Sequence, residues 1–276
     1  MPRLVNALTV DVEDWYQGIE IEPEHWESYE SRIRESLPRL LDLLAEHGTR
    51  ATFFILGWLA EREPELIRRI AAQGHEIGTH GYSHRLIYKL ERAQFAAELR
   101  RAIDVVEQIV GRPVTAHRAP FFSITRDSLW ALDVLIEQGI TLDSSIFPVH
   151  NYRYGIPDAP RHPYHYDHNG GRLTIFPLST VRLFGGNFPV AGGFYLRFLP
   201  YLLLRAAVRS INREGFPAVI YVHPWELDPE HPRLPLPRRI ALPHYHNLRG
   251  TERKLRGLLR DFAFGPLGEI PAEFVA

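Results

Sequence analysis

The 276-residue chain has no cysteine and a single methionine. Without thiols it can have no disulfide framework, thiolate metal site or cysteine nucleophile. An excess of one charge is also missing: Lys+Arg 32 against Asp+Glu 33 leaves a net charge of −1. A dedicated nucleic-acid binder, which meets phosphates with clustered cations, is therefore not expected. No apolar run approaches the ~20 residues that span a bilayer. The most apolar helix-like stretch, Phe198 to Val208, is interrupted by Pro200 and Arg205 and reads as a core helix. The N-terminal run breaks at Asn6 and stops at Asp11, too short and polar for the apolar segment of a signal peptide. The expectation is a cytoplasmic protein without a membrane span. Phosphate-cradling loops, Gly-x-Gly-x-x-Gly turns and nucleophile elbows are absent too, so nucleotide and serine-hydrolase chemistry find no support.

What is present is ordinary globular material, 45% hydrophobic and 24% charged, arranged in a repeated order. An amphipathic helix is stopped by a glycine, and a β-rich run follows. Leu37, Leu40, Leu41 and Leu44 paint one helical face ahead of Gly48, and Ala51–Gly57 reads as a strand buried on both faces. The same order recurs before His75–His80, Val114–Arg118, Ile140–Asp143 and Ala218–His223. Helix-to-strand repetition implies parallel strands with right-handed crossovers, and Leu8–Val12 adds a sixth strand. Residues 148–197 break the rhythm, with Asn169-Gly170 marking a tight hairpin turn inside them. Pro229–Pro237 reads as an extended loop, and a last helix is expected from Thr251 to about Phe264. One domain over 1–276 is expected, with an insertion at about 148–197 and a C-terminal extension at about 228–276.

In parallel α/β folds, functional side chains collect where strands end. Those places hold Asp11, Glu13 and Asp14, then His80 and His84, then Arg118, Asp143 and His223. His80 and His84, four residues apart, could reach one metal ion with a carboxylate from another strand as third ligand. Alternation puts Asp11 and Glu13 on one face, and Asp14 joins them only if the chain has already turned. Arg118 could neutralise and orient Asp11. His223, ending an apolar strand, could be a general acid whose tautomer Asp143 holds. His75 reads as a backbone anchor, while His25, His47, His117, His150, His162, His165, His168 and His231 carry no functional expectation. Trp15, Tyr16, Trp58, Phe121, Phe122, Tyr195 and Trp225 accompany the polar groups, and flat aromatic faces near a rim suit sugar rings.

Thr9-Val-Asp-Val-Glu-Asp, Thr79-His-Gly-Tyr-Ser-His84, Arg118-Ala-Pro-Phe-Phe, Asp143-Ser-Ser and Tyr221-Val-His223 resemble the five ordered motifs of polysaccharide deacetylases with the NodB homology domain, carbohydrate esterase family 4. The resemblance covers about residues 5–227. Asp-Val-Glu-Asp-Trp at the front and Leu242-Pro-His-Tyr-His-Asn in the tail are similar to the subgroup found in exosortase/PEP-CTERM exopolysaccharide clusters. It implies an α/β fold, a distorted (β/α) barrel with fewer than eight strands, and metal-dependent removal of N-acetyl groups from a glycan's amino sugars. By this resemblance Asp11 is the base and Arg118 holds it, while His223 is the acid supported by Asp143. His80 and His84 bind one divalent ion per chain, expected to be Zn²⁺. The family's first motif has adjacent aspartates, whereas here Val12 follows Asp11, so the metal carboxylate is Glu13 first and Asp14 second. Phe121, Phe122, Tyr195 and Trp225 are expected to bind substrate, with a backbone N–H near Phe121 or Phe122 on the oxyanion. Gly192-Gly-Phe-Tyr195 and Arg197 read as rim. Two other readings are a cyclic-imide or ureide amidohydrolase on the same fold and a non-catalytic glycan-binding protein. A homo-oligomer is compatible with the sequence.

Overall fold

The computed structural model describes residues 4–19 and 21–275; Met1–Arg3, at the head of the N-terminal run, lie outside the described residues. In chain order the elements are β1 (Val5–Val12), α1 (Ile33–Glu46), β2 (Thr52–Ile55), α2 (Gly57–Arg62), α3 (Pro64–Ala72), β3 (Glu76–Thr79), α4 (Arg92–Val110), β4 (Ala116–His117), α5 (Trp130–Glu137) and β5 (Leu142–Asp143). The hairpins β6 (Tyr164–His168), β7 (Gly171–Ile175) and β8 (Thr180–Leu183), β9 (Gly186–Pro189) follow. The chain closes with α6 (Phe194–Phe198), α7 (Tyr201–Arg213), β10 (Val219–Val222), α8 (Arg238–Tyr245), α9 (Thr251–Asp261) and β11 (Ala263–Gly265).

Nine strands form one sheet in the order β10-β1-β2-β3-β4-β5-β7-β6, with β11 beside β1. Neighbours are parallel throughout except in the β6–β7 hairpin. The six strands expected from the sequence are β1 to β5 and β10. β6 and β10 do not pair among the described residues, so the sheet is open rather than a closed barrel. The hairpin inside the insertion is part of this sheet: β7 pairs parallel with β5, Leu142 opposite Thr174 and Asp143 opposite Ile175. The reason is visible in β7 itself, where buried Leu173 and Ile175 alternate with less buried neighbours and give the sheet a further half-apolar strand. Asn169 and Gly170 make the turn at φ 47° and 80°, as a two-residue hairpin loop requires.

The helices follow the apolar stripes. Leu37, Leu40, Leu41 and Leu44 of α1 are all buried in the main core, and α4 stops at Gly111, whose φ of 69° is a left-handed C-cap. Earlier than expected, α9 ends at Asp261, because Ala263–Gly265 goes extended to pair with Val5–Ala7 of β1. His75 is the backbone anchor anticipated, its Nδ1 accepting from the Ala51 N–H at 3.2 Å.

Candidate active and metal site

The C-terminal ends of β10, β1, β3 and β4 crowd along one edge of this order, and each delivers an ionisable group to it. β1 places Asp11 in register with Phe54 of β2, which is itself opposite Gly78 of β3. Glu13 lies just beyond β1, His80 just beyond β3, Arg118 just beyond β4 and His223 just beyond β10. Asp11, Glu13, His80, His84 and Arg118 are all buried, and such burial of charge demands partners.

Arg118 is the hub. Its Nη1 donates to Asp11 Oδ1 and to Thr9 Oγ1, both at 2.8 Å, while Nε donates to the Ser144 carbonyl at 2.9 Å and Nη2 to Ser144 Oγ at 2.8 Å. The Phe54 ring sits 4.5 Å from the guanidinium centre. One oxygen of Asp11 is thereby tied down, and the other, Oδ2, faces His223 Nε2 at 3.9 Å.

Glu13 Oε1 lies 2.9 Å from His80 Nε2 and 2.8 Å from His84 Nε2. Burial alone would raise the Glu13 pKa, but His84 and His80 hold it well below the carboxylate range. Burial carries His84 downward, against the pull of Glu13. His80 Nδ1 is 2.8 Å from the Arg118 carbonyl oxygen, which accepts only from an N–H. That bond fixes the proton on Nδ1, so a neutral His80 turns its Nε2 lone pair toward a carboxylate oxygen. Two nitrogens and a carboxylate converge where a cation belongs, and Glu13 Oε2 is buried without a partner. The donor set fits a divalent metal.

Asp14, the second choice for the metal carboxylate, is corrected by the geometry. β1 has ended and the chain turns, so Asp14 faces α1, accepting from Trp15 N–H at 2.9 Å, Ser31 Oγ at 2.6 Å and Arg32 N–H at 3.0 Å. Asp143 is corrected as well. It accepts from His117 Nδ1 at 2.8 Å and from Ser145 Oγ and N–H at 2.6 and 2.9 Å, and does not reach His223. β4 and β5 are neighbours, so Asp143 meets His117 of β4, its register partner, while β10 lies beyond β1 at the other side of the sheet.

His223 is supported by Glu226 instead, a residue the sequence reading missed. Glu226 Oε2 accepts from His223 N–H at 2.9 Å and lies 3.2 Å from its Nδ1. Burial would lower His223, but Glu226, Glu13 and Asp11 together lift it to about 9. Burial would likewise raise Glu226, but Arg197 and His223 hold it at about 2. Arg197 is buried rather than on the rim: Nε donates to Glu226 Oε1 at 2.6 Å, and the other nitrogens donate to the Pro243, His244 and His246 carbonyls. A legible signal existed in His223-Pro-Trp-Glu226. A proline at the first helical position and a glutamate three residues after the strand end is capping-box spacing, which brings the glutamate back onto the residue before the turn.

Around these groups a pocket of about 350 Å³ is lined by Phe121, Phe122, Tyr154, Tyr195 and Trp225, among others. Phe121 meets His84 edge-on at 4.4 Å and Trp225 stacks on His223 at 5.2 Å. Trp15 and Tyr16 are packed in the core, and with Trp58 they lie outside the pocket lining. His84, Phe121 and Phe122 all have φ between 52° and 55°, a conformation that bulky residues hold only under constraint. The Phe122 N–H is committed to the Ala119 carbonyl, which makes the Phe121 N–H the candidate oxyanion donor. Gly192, at φ 142°, presses on β10 so closely that a Cβ would lie 1.8 Å from the Tyr221 carbonyl oxygen; Tyr195, three residues on, lines the same pocket as His223.

Residues 20–139 match the family model described as polysaccharide deacetylase, and residues 144–272 match a domain of unknown function, DUF3473, associated with PEP-CTERM-type deacetylases. The match to the polysaccharide deacetylase family is thus confined to the N-terminal part of the chain. Among curated members of this family it is similar to the peptidoglycan-N-acetylglucosamine deacetylase of Bacillus cereus, 30% identical over 40% of this chain and 44% of that one. It is also similar to the chitooligosaccharide deacetylase of a Bradyrhizobium species, 34% identical over 36% and 42%. The match thus spans less than half the length of these curated deacetylases. Two solved structures share the fold. The Bc1960 peptidoglycan N-acetylglucosamine deacetylase superposes with a TM-score of 0.55 at 19% identity, over 98% of this chain and 88% of that one. The peptidoglycan deacetylase PdaC of Bacillus subtilis gives 0.51 at 16% identity, over 98% and 90%. These likenesses show that the chain shares the α/β fold of these proteins.

Proposed function

We propose that this site hydrolyses N-acetyl groups on the amino sugars of a glycan, releasing acetate and a free amine. The observation that carries the reading is the opposition of Asp11 and His223 across a 3.9 Å gap, beside the Glu13, His80 and His84 cluster. Glu13, His80 and His84 would hold the ion, taken as Zn²⁺ from its two-imidazole, one-carboxylate donor set. When bound it supplies Lewis-acid polarisation of the acetamide carbonyl and a more acidic water.

Asp11 Oδ2 takes a proton from water as the water oxygen attacks the carbonyl carbon. Arg118 keeps Asp11 correctly turned by binding the other oxygen. The Phe121 N–H faces the developing oxyanion. His223 Nε2 then gives its proton to the amide nitrogen as the C–N bond breaks, and Glu226 stabilises the imidazolium that makes this transfer possible. Tyr195, Trp225 and Phe121 offer flat faces to the sugar rings. The likeness to a DUF3473-bearing subgroup supports an exopolysaccharide as the natural glycan.

The test is metal content by elemental analysis on untagged protein, with acetate release from N-acetylglucosamine oligomers measured on the same sample. About one ion per chain and chelator-sensitive acetate release are expected. Absence of acetate with the metal bound and restored would overturn the reading. Turnover of cyclic imides would then assign the amidohydrolase alternative, and glycan binding without turnover the non-catalytic one.

A further inference from the structure

Helix α7 is apolar on two faces. Leu204, Ala207, Val208 and Ile211 are buried against the protein, as an amphipathic helix requires. Yet Leu202 is 71% exposed and Leu203 56% exposed on the outer side. The apolar surface continues across neighbouring elements, with Phe198 of α6 at 55% and Leu242 of α8 at 61% exposure. Single exposed leucines are common, but a run of bulky side chains over three adjoining helices is a patch that calls for a partner.

The charge carried by α7 itself has one sign. Within Tyr201–Arg213 there are three arginines, Arg205, Arg209 and Arg213, and no acidic residue, although the whole chain is balanced. Leu202, Ala206, Arg209 and Arg213 fall in one outward stripe and line a shallow groove together with Arg205. Arg205 is paired with Asp261, whereas Arg209 and Arg213 are exposed and make no ion pair among the described residues. The adjoining groove between Pro200–Tyr201 and α9 is lined by Arg249, Arg253, Arg256 and Arg260, of which Arg249, Arg256 and Arg260 are paired with Glu230, with Glu46 and Glu252, and with Asp261.

We propose that this outer face of α6, α7 and α8 docks on an anionic lipid bilayer. Leucine and phenylalanine side chains enter the headgroup boundary while arginines meet lipid phosphates, which is the chemistry of an interfacial helix. A second copy of the chain fits less well, since a self-complementary contact would set arginine against arginine. A nucleic acid would match the arginines but leave the aliphatic side chains in water. Docking also has a geometric consequence. Phe194 and Tyr195 of α6, and Arg239 and Ile240 of α8, line the same pocket as Asp11 and His223, so the membrane-facing surface adjoins its mouth. The proposal is independent of the reaction assigned above.

The test is co-sedimentation of the full chain with phosphatidylcholine vesicles, with and without phosphatidylglycerol. Binding is expected only with phosphatidylglycerol and should weaken as salt rises. At about fivefold per arginine, R209Q/R213Q should lose roughly thirty-fold in affinity. L202Q/L203Q should weaken binding while leaving its salt dependence in place. Neither pair should change the circular dichroism spectrum or the cooperative thermal unfolding of the chain, which reports that each variant is folded. Equal retention on both vesicle types, or retention that survives R209Q/R213Q, would overturn the proposal. So would a dimer in sedimentation velocity that L202Q/L203Q dissolves without any vesicle binding. Heparin binding insensitive to L202Q/L203Q and unaccompanied by vesicle binding would reassign the face as a polyanion site.

Discussion

Replacing Glu226 by Gln takes a buried negative charge away from His223 while keeping the side chain's shape and one acceptor oxygen. His223 titrates at about 9, against about 6.5 for an unperturbed imidazole, and Glu226 supplies the shortest contact to its Nδ1 among the three carboxylates that lift it. An ion pair at this range moves a pKa by about 1–3, so in E226Q the imidazole should fall to roughly 7. The sign is set by the raised folded-state value. The stabilisation from protonated His223 is complete below about 6.5 and is lost as pH rises through about 9. Glu226 behaves oppositely. Held at about 2, it contributes above the ordinary 4.5 and is lost as pH falls through about 2. E226Q also leaves the Arg197 guanidinium buried with carbonyl partners only, a loss of about 3–5 kcal/mol in comparable broken pairs. The double variant E226Q/R197M, which removes both charges, should recover part of that. The assay is the imidazole proton shift of His223 followed by NMR in metal-free protein, beside thermal unfolding of each variant. A His223 that still titrates near 9 in E226Q would refute the assignment and return the lift to Asp11 and Glu13 alone.

The other expectations separate the roles of the remaining carboxylates and histidines. D11N should keep its metal and lose turnover by several orders of magnitude, read as acetate release with elemental analysis on the same protein. H80A should lose both the ion and the activity, and retained metal would remove His80 from the ligand set. D143N breaks the bond to His117 where both side chains are fully buried, so unfolding should become easier by about 1–3 kcal/mol. The same variant should leave the His223 titration unchanged, and a moved titration would restore Asp143 as support of the acid. D14A removes the acceptor at the start of α1 and should cost about 0.5–2 kcal/mol of stability with metal content intact; metal loss would show Asp14 to be a ligand after all.

Asp11, His80, His84 and His223 line one pocket while Asp14 and Asp143 face other partners, and the difference has a physical reason. Strand ends are legible, because an apolar run stopped by an ionisable residue after a helix and a glycine has few other folds. Which strand ends are neighbours is not legible from such runs. Asp143 and His223 both end strands, but β5 and β10 are separated in the sheet by β4, β3, β2 and β1. Side-chain direction at a turn is equally hidden. Asp11 is inside a strand, where alternation settles its face, whereas Asp14 follows the strand and its direction is decided by Ser31 and Arg32, eighteen residues or so downstream. The β6–β7 hairpin was visible as a hairpin through Asn169-Gly170, but its place in the sheet was not, since that depends on β5 leaving an edge for β7 to pair with.

The support of His223, the proposed acid, follows from local spacing. A histidine closing a buried strand needs an acceptor close in space, and two kinds of acid can serve. One arrives from another strand and depends on sheet order. The other arrives from the turn that follows and depends only on local spacing, as in His223-Pro-Trp-Glu226. The local solution also ties the acid to the C-terminal region. Glu226 is held by Arg197, and Arg197 is held by the carbonyls of Pro243, His244 and His246. Lys254 of α9, also buried, donates to the Leu196, Arg197 and Leu199 carbonyls at 3.1, 2.6 and 2.7 Å. Residues 144–272 are therefore bound into the site through a continuous set of buried charges, although the base and the metal cluster all come from the first 118 residues. Loosening α8 should consequently disturb the acid before the metal: metal content should hold while the proton donor's titration drifts toward that of a free histidine.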